Sequence, residues 1–598
     1  MKHPLSPLAI LWLSTAPMMA GAQVLDLDEI TVLAGQSDTE LSRTGASVEV
    51  LAQDDIDDAP RDTATALSLL PGITLSQNGG TGATSTLRIR GLGSKYIAVR
   101  VDGIDVSDPS STQTSFNFGG LINSGIGRIE VLKGSQSAIH GSEAVGGVID
   151  ISSRRSDKLG FSASVTAEAG SYGTKLGAAT LSNVTEDGEV TLNVSRIDTD
   201  GFSSRDSDTE ADGFNQTDLR LTARHAVTDR LTLGMAGLYS DGTLEFDRST
   251  TDPSGEIEQT RKGARVFAEY AGDVIDHEFS VQSFTNDRLD AGSFFTNRFV
   301  GKRDKVDYTG HAVLNSRTDL SFGAEWSGES ARLDTARYDT SEAAAFAELQ
   351  YAASDALDVS LALRQDEHED FGGRTSGRVA LAWRITEDTT LRAVAGTGFR
   401  APSLYELYGP YGNAGLMAET SETYELSLER RFANDGMIKA TLFNTAIDNL
   451  IDYSFVTSSY DQVPGVTRTH GLELTGRTPL SGAVDLFGSY TLTDTRTPGG
   501  GRLARTPKHD LLIGLSGETD WGLRGEISVN HIMDRPDDGF PSQAMPDYTV
   551  VHVGTSYAVT DDAELYLRIE NLTDETYQTA AGYNQSGRAA YFGVRASF

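Results

Sequence analysis

Residues 589–598 read AAYFGVRASF. Phe592, Val594, Ala596 and Phe598 alternate with Gly593, Arg595 and Ser597. Successive side chains of a strand point to opposite faces, so one face here is apolar and the other small or polar. Apolar outward and polar inward is the pattern of a strand in a membrane-embedded barrel. A soluble β-sandwich rarely leaves a final Phe exposed in mid-strand. The segment therefore predicts a barrel strand that runs to the last residue.

The same period of two recurs upstream. Val190, Leu192 and Val194 alternate with Thr191, Asn193 and Ser195. Leu231, Leu233, Met235 and Tyr239 repeat it, as do Val484, Leu486, Tyr490 and Leu492, and Leu565, Leu567 and Ile569. Turn-forming clusters separate the runs: EDGE at 186–189, TPGGGR at 497–502, TDDAE at 560–564. Alternation broken by Gly, Asn and Asp is strand signal. It could build a string of sandwiches or one large barrel, and the last strand favours the barrel. Roughly 440 residues at ~20 per strand and turn give about 22 antiparallel strands, a size at which the lumen is plugged. The expected fold is an all-β membrane barrel, 156–598, with an N-terminal α+β plug, 46–155.

Composition narrows the function. Acids outnumber bases 85 to 50, for a formal charge of −35. A nucleic-acid partner would want a basic face. There is no cysteine, so disulfides and thiolate metal sites drop out. The first residues, MKHPLSPLAILWLSTAPMMAGAQ, read as a secretory signal over 1–22: Lys2 and His3, a short apolar run, then Ala20-Gly21-Ala22 before Gln23. Three prolines and the short run argue against a membrane anchor. No later segment offers ~18 uninterrupted apolar residues. The expected location is the outer membrane of a Gram-negative cell.

The plug text differs from the barrel text, with shorter apolar runs and Gly-rich turns. LPGITLSQNGG (70–80), STLRIRGLG (85–93), AVRVDGI (98–104) and GRIEVLKGSQSAIHGSEAVGGVIDI (127–151) follow one another. In that order they resemble the plug of the TonB-dependent outer-membrane transporters. LDEITV (27–32), within a 23–45 linker, resembles the TonB box that pairs with the inner-membrane energy protein. Ser135 and His140 depart from the family pattern, which often has Pro and Tyr there. Within the family the resemblance is greatest to the cobalamin (vitamin B12) transporters. SQNGGTGATSTLRIRG carries it in the plug; FRAPSLYELYGPYGNAGLMAETSETYELSLE (399–429) and FNTAIDNLIDY (443–453) carry it in the barrel. Many iron-siderophore receptors hold text like the last two.

The resemblance implies site residues. Asp28, Glu29, Ile30, Thr31 and Val32 would form the coupling box. Asn78, Thr84, Thr86 and Gly93, with Ser111 and Thr112 after VDGI, would be plug apices that touch the ligand; plain loop filler is the rival reading. Arg505 aligns with a substrate-contacting arginine, and an ordinary lumen or loop-base charge is the alternative. Arg88 and Arg90 read as buried pairing partners inside the plug. DSDTEADGF (206–214) sits where the cobalamin transporters bind calcium. By that alignment Asp208, Glu210 and Asp212 are candidate ligands, joined by Asp247 and Glu258 from the next external loop. Asp206 aligns poorly because this loop is shorter. Five or six carboxylates suit a hard cation that takes six to eight oxygens; a solvated acidic loop is the competing reading. An EF-hand is excluded, since the twelfth position from Asp208 is Leu219 rather than Glu.

These parts imply active import of a scarce, bulky small molecule, most like a corrinoid. The expected partners are a TonB-type energy-coupling protein, the ligand and outer-membrane lipid. An extended coupling box can add as a strand to a partner's sheet. No nucleophile elbow or phosphate loop is present, and no enzyme activity is expected. An iron-siderophore or haem receptor is the alternative, although the histidines are scattered. A passive porin or an outer-membrane esterase is remote.

Overall fold

The computed structural model describes residues 30, 31, 35, 39–156, 158–207, 209–249, 251–293, 296–537 and 543–598. The signal segment 1–22, Asp28, Glu29, Val32 and Asp208 lie outside them. Among the described residues, 22 antiparallel strands close into one barrel, from Gly160–Gly170 to Ala589–Ser597. The last strand pairs back on the first, with Ser164 opposite Ser597 and Gly170 opposite Tyr591. Phe592 and Phe598 are 57% and 78% exposed, whereas Tyr591 is buried inside, so the terminal alternation is apolar outward. Closure leaves no unpaired edge for lipid to meet.

Inward faces carry polar side chains that bond one another. Thr423 and Thr445 share a hydroxyl hydrogen bond of 3.0 Å, and Ser182 and Thr191 one of 2.9 Å. Short turns such as 186–187, 229–230 and 316–317 join the strands at one end. Longer connections, 203–211, 401–418, 449–465 and 571–588, gather at the other.

Inside the barrel lies a five-stranded mixed sheet. Its order is Ser47–Leu51, Ile126–Lys133, Gly147–Ser153, Ile97–Val101, Ile104–Asp105. The pair Ile97–Val101 and Gly147–Ser153 is parallel. Helices α1 (Gln53–Asp58), α2 (Thr63–Ser68) and α3 (Ser137–His140) flank it, beside the hairpin Ile73–Gln77 with Ser85–Ile89. The runs that looked short in the sequence make its core. Ile56, Leu67, Ile73, Leu87, Ile89, Ile129, Val131 and Ile149 are all buried in one cluster.

Ions fasten the plug to the barrel. Arg90 lies 2.8 Å from Glu425 and 2.8 Å from Glu473, both barrel residues. Its pairing partners are therefore on the barrel wall, not inside the plug as the sequence suggested. Lys133 joins Glu473 at 3.1 Å and Glu49 at 3.0 Å, and Lys439 reaches Glu49 at 3.1 Å. Gly72 and Gly134 turn with φ of +75° and +82° beside this cluster. A Cβ on Gly72 would run into the Glu473 carboxylate, and one on Gly134 into Glu425.

Candidate functional site

The plug presents two apices toward the long-loop end. The first is the tip of the hairpin, 78–84, where Asn78 N donates to Thr84 O at 3.0 Å. Thr84 is exposed and Asn78 half-buried. Thr86 is half-buried, and its hydroxyl donates to Ser76 O at 3.4 Å. Gly93 sits in a neighbouring turn, and a Cβ there would meet nothing within 4 Å. The second apex is the loop after VDGI. Ser111 Oγ donates to Asp108 Oδ2 at 3.0 Å, and Thr112 is exposed while its carbonyl accepts from Ser403 Oγ at 3.1 Å.

Against this second apex stands α4 (Leu404–Tyr408). The sequence SLYE supplies its capping box: Ser403 Oγ accepts from Glu406 N at 3.0 Å, and Glu406 Oε2 accepts from Ser403 N at 2.8 Å. Arg400 then grips Glu406 at 2.9 Å and Glu419 at 2.9 Å, which fixes the helix to the barrel rim. Gln113 of the plug reaches Glu406 at 3.3 Å.

Around α4 the loops bring together an aromatic wall that sequence reasoning did not find. Tyr338 and Tyr408 stack at 5.0 Å between centroids, and Phe299 and Tyr405 at 6.4 Å. Tyr405 meets Tyr460 edge-on at 6.3 Å, and Tyr453 meets Tyr411 and Tyr460 at 5.5 and 5.7 Å. Burial raises the phenols of Tyr405 and Tyr460, so these rings stay neutral at physiological pH. The available signals were the tyrosines of SLYELYGPYG and the capping box. The other rings come from distant hairpins.

Arg505 is held at the base of its loop. Its backbone is left-handed, φ +58°, and Nε donates to Asp537 Oδ1 at 2.6 Å. Asp537 is fully buried. The guanidinium thus already has a carboxylate.

The acids divide. Asp212 and Asp247 are buried and meet on Ser204, whose N–H donates to Asp212 Oδ2 at 2.6 Å and whose hydroxyl donates to Asp247 Oδ2 at 3.0 Å. Asp206 and Glu210 are exposed on the loop above. Glu258 is exposed too, and the structure does not bring it to the others. Its neighbour Ile257 packs inward with Phe214 and Leu244, so the alternation turns Glu258 to the outer face. Among the described residues no three His, Asp or Glu side chains are grouped to hold a metal ion.

Comparison with known proteins fits this architecture. Residues 40–148 match the model of the TonB-dependent receptor plug domain, and 153–572 that of the TonB-dependent receptor-like β-barrel. The chain is 27% identical to the Vitamin B12 transporter BtuB of Vibrio cholerae, over 96% of this chain and 95% of that one. With the protein of the same name in Photobacterium profundum it shares 28%, over 97% and 98%. The fold matches a ferric enterobactin receptor mutant (PfeA) of Pseudomonas aeruginosa with a TM-score of 0.81 at 18% identity, covering 92% and 98% of the two chains. The siderophore receptor PirA of Acinetobacter baumannii gives 0.80 at 17%, with the same coverage. A matched plug inside a matched barrel, continuous over nearly the whole chain, makes this protein a member of the TonB-dependent receptor family of outer-membrane transporters.

Proposed function

We propose that this receptor imports a corrinoid of the cobalamin class. The observation that carries the reading is the likeness to vitamin B12 transporters, 27% and 28% identity over 95% and 98% of their lengths. The siderophore receptors share the fold at lower identity, 17–18%. The apices suit the ligand: Thr84, Thr112 and Gly93 are small, and small polar groups let the backbone approach and bond a periphery of amides. The energy comes from a TonB-type partner that adds residues 27–32 to its sheet. Ile30 and Thr31, the two described residues of that segment, pair with Glu40 and Thr39 in an extended form.

Calcium belongs to the proposal as a loop-ordering ion. Asp212 and Asp247 converge on Ser204, Asp206 and Glu210 lie in the adjoining connection, and Asp208 falls between them in sequence. These are hard oxygen donors of the kind calcium takes. Glu258, on the outer face, is not among them.

The aromatic wall favours one second reading, an iron-siderophore receptor, because flat conjugated rings stack on tyrosines. Titrating the purified protein with cyanocobalamin, haem and ferric siderophores separates the readings. Saturable cyanocobalamin binding with no response to the iron ligands is expected; the converse would overturn the corrinoid reading.

A further inference from the structure

Arg288 is the lumen cation that packs on the aromatic wall. It lies on the inward face of the strand Asp276–Asp290, two residues from its loop end, and is half-buried. Its guanidinium sits 4.4 Å from the centroid of Phe299, the ring that stacks on Tyr405. Several lumen arginines are held by carboxylates, while Arg261 packs on Phe116 and donates to Asn117 O inside the plug contact. Arg303 reaches Asp105 at 2.7 Å, Arg364 reaches Asp366 at 2.6 Å and Arg400 reaches Glu406 at 2.9 Å. Arg288 makes no ion pair with any described residue, in a chain with 85 acids and 50 bases. A cation half removed from water and left without a counter-charge costs stability. Packing on a ring face recovers part of that cost and leaves the planar N–H fork available as a donor.

From this we infer that Arg288 and the aromatic wall form a subsite for an anionic, ring-bearing part of the ligand. The inference rests on the corrinoid reading and makes it more specific. A complete cobalamin carries a phosphate and a benzimidazole base on its nucleotide arm, and cobinamide lacks both. The guanidinium takes the phosphate through paired N–H donors. The flat base stacks against the wall, on the exposed Tyr408 and the half-buried Tyr453. The amide-rimmed corrin then faces the plug apices, whose side chains are small and polar. The receptor thereby distinguishes complete cobalamins from base-free precursors at the cell surface.

The test is titration of the purified, folded receptor with cyanocobalamin and with dicyanocobinamide, for the wild type, Arg288→Gln, Arg288→Lys and Tyr408→Leu. Heat-modifiable gel migration verifies that each barrel is closed. Arg288→Gln is expected to weaken cyanocobalamin about 10-fold, the worth of a charge-assisted pair, and cobinamide by less than about 2-fold. Arg288→Lys should recover part of the loss, and Tyr408→Leu should act on cyanocobalamin alone. Equal losses for both corrinoids in closed barrels, or no loss for either, would overturn the subsite. Wild-type protein that binds neither corrinoid would overturn the reading beneath it, and the two failures are told apart by that wild-type arm.

Discussion

Replacing Glu473 by Gln should loosen the plug without opening the barrel. Glu473 is 2% exposed and takes bonds from Arg90 at 2.8 and 3.1 Å and from Lys133 at 3.1 Å. Removing one partner of a buried ion pair costs about 3–5 kcal/mol when the other charge is left alone. Neither cation is left alone here. Arg90 keeps Glu425 at 2.8 Å, and Lys133 keeps Glu49 at 3.0 Å. The glutamine carbonyl also still accepts one bond. Charge-assisted hydrogen bonds contribute about 1.5–3 kcal/mol each, so the net loss should be about 2–3 kcal/mol. At about 1.4 kcal/mol per tenfold, the population of locally open plug rises about 30- to 140-fold. Hydrogen exchange read by mass spectrometry on the detergent-solubilised receptor measures it. Amides of Ser85–Ile89 and Ile126–Lys133 should exchange faster by that factor, while barrel amides serve as an unchanged internal standard. Plug amides at the wild-type rate would show that this ion cluster does not hold the plug in the barrel.

Other outcomes follow from the same coordinates. Calcium should raise cyanocobalamin affinity by ~5- to 150-fold, and bound ligand should tighten calcium by the same factor. Replacing both Glu210 and Asp212 by asparagine should erase the effect, while the amide oxygen introduced at position 212 still accepts the Ser204 N–H; equal affinities with and without chelator would leave 206–214 a solvated acidic loop. Thr112→Trp, at an exposed apex, should weaken the ligand at least about 10-fold by filling the space it needs; unchanged affinity for both Thr112→Trp and Thr86→Trp would remove the apices from the site. Burial raises Asp150 in the plug sheet to about 7, with Glu130 and Asp102 adding to it against Arg100. Its folded value exceeds the ordinary one of about 3.9, so the stability it contributes is complete below that value and is lost as the pH climbs toward 7. Exchange protection of Gly147–Ser153, corrected for intrinsic rates, should be greater at about pH 5.5 than at about pH 8, and Asp150→Asn should flatten the difference.

Much of the architecture is visible in local text. The alternation of AAYFGVRASF places Phe592 outward and Arg595 inward, where Arg595 meets Glu564. The same parity, applied to GEIEQTRK, would have turned Glu258 away from the acidic loop once Ile257 was seen to face the interior. Arg90 is a different case. Its burial could be guessed from LRIRG, but its partner Glu473 lies 383 residues away, and only the docked plug reveals the pair. The aromatic wall was hidden for a similar reason. Phe299 and Tyr338 come from two barrel strands and Tyr405 and Tyr460 from two connections, and each alone looks like an ordinary strand or loop aromatic. A barrel makes neighbours of residues whose spacing in the chain carries no signal. Arg288 gains its meaning only in the fold, where its guanidinium lies on Phe299 at the edge of the wall.

Energised uptake of cyanocobalamin is the decisive measurement. Cells without their own cobalamin receptor would carry the full chain or a deletion of 27–32, and radiolabelled ligand would be followed with and without a protonophore. The full chain should accumulate the ligand rapidly and lose that ability when the protonophore is added, and the deletion should bind at the surface without accumulating. Accumulation that survives both treatments, or a full chain that accumulates ferric siderophore and no cyanocobalamin, would contradict corrinoid import driven through the coupling box.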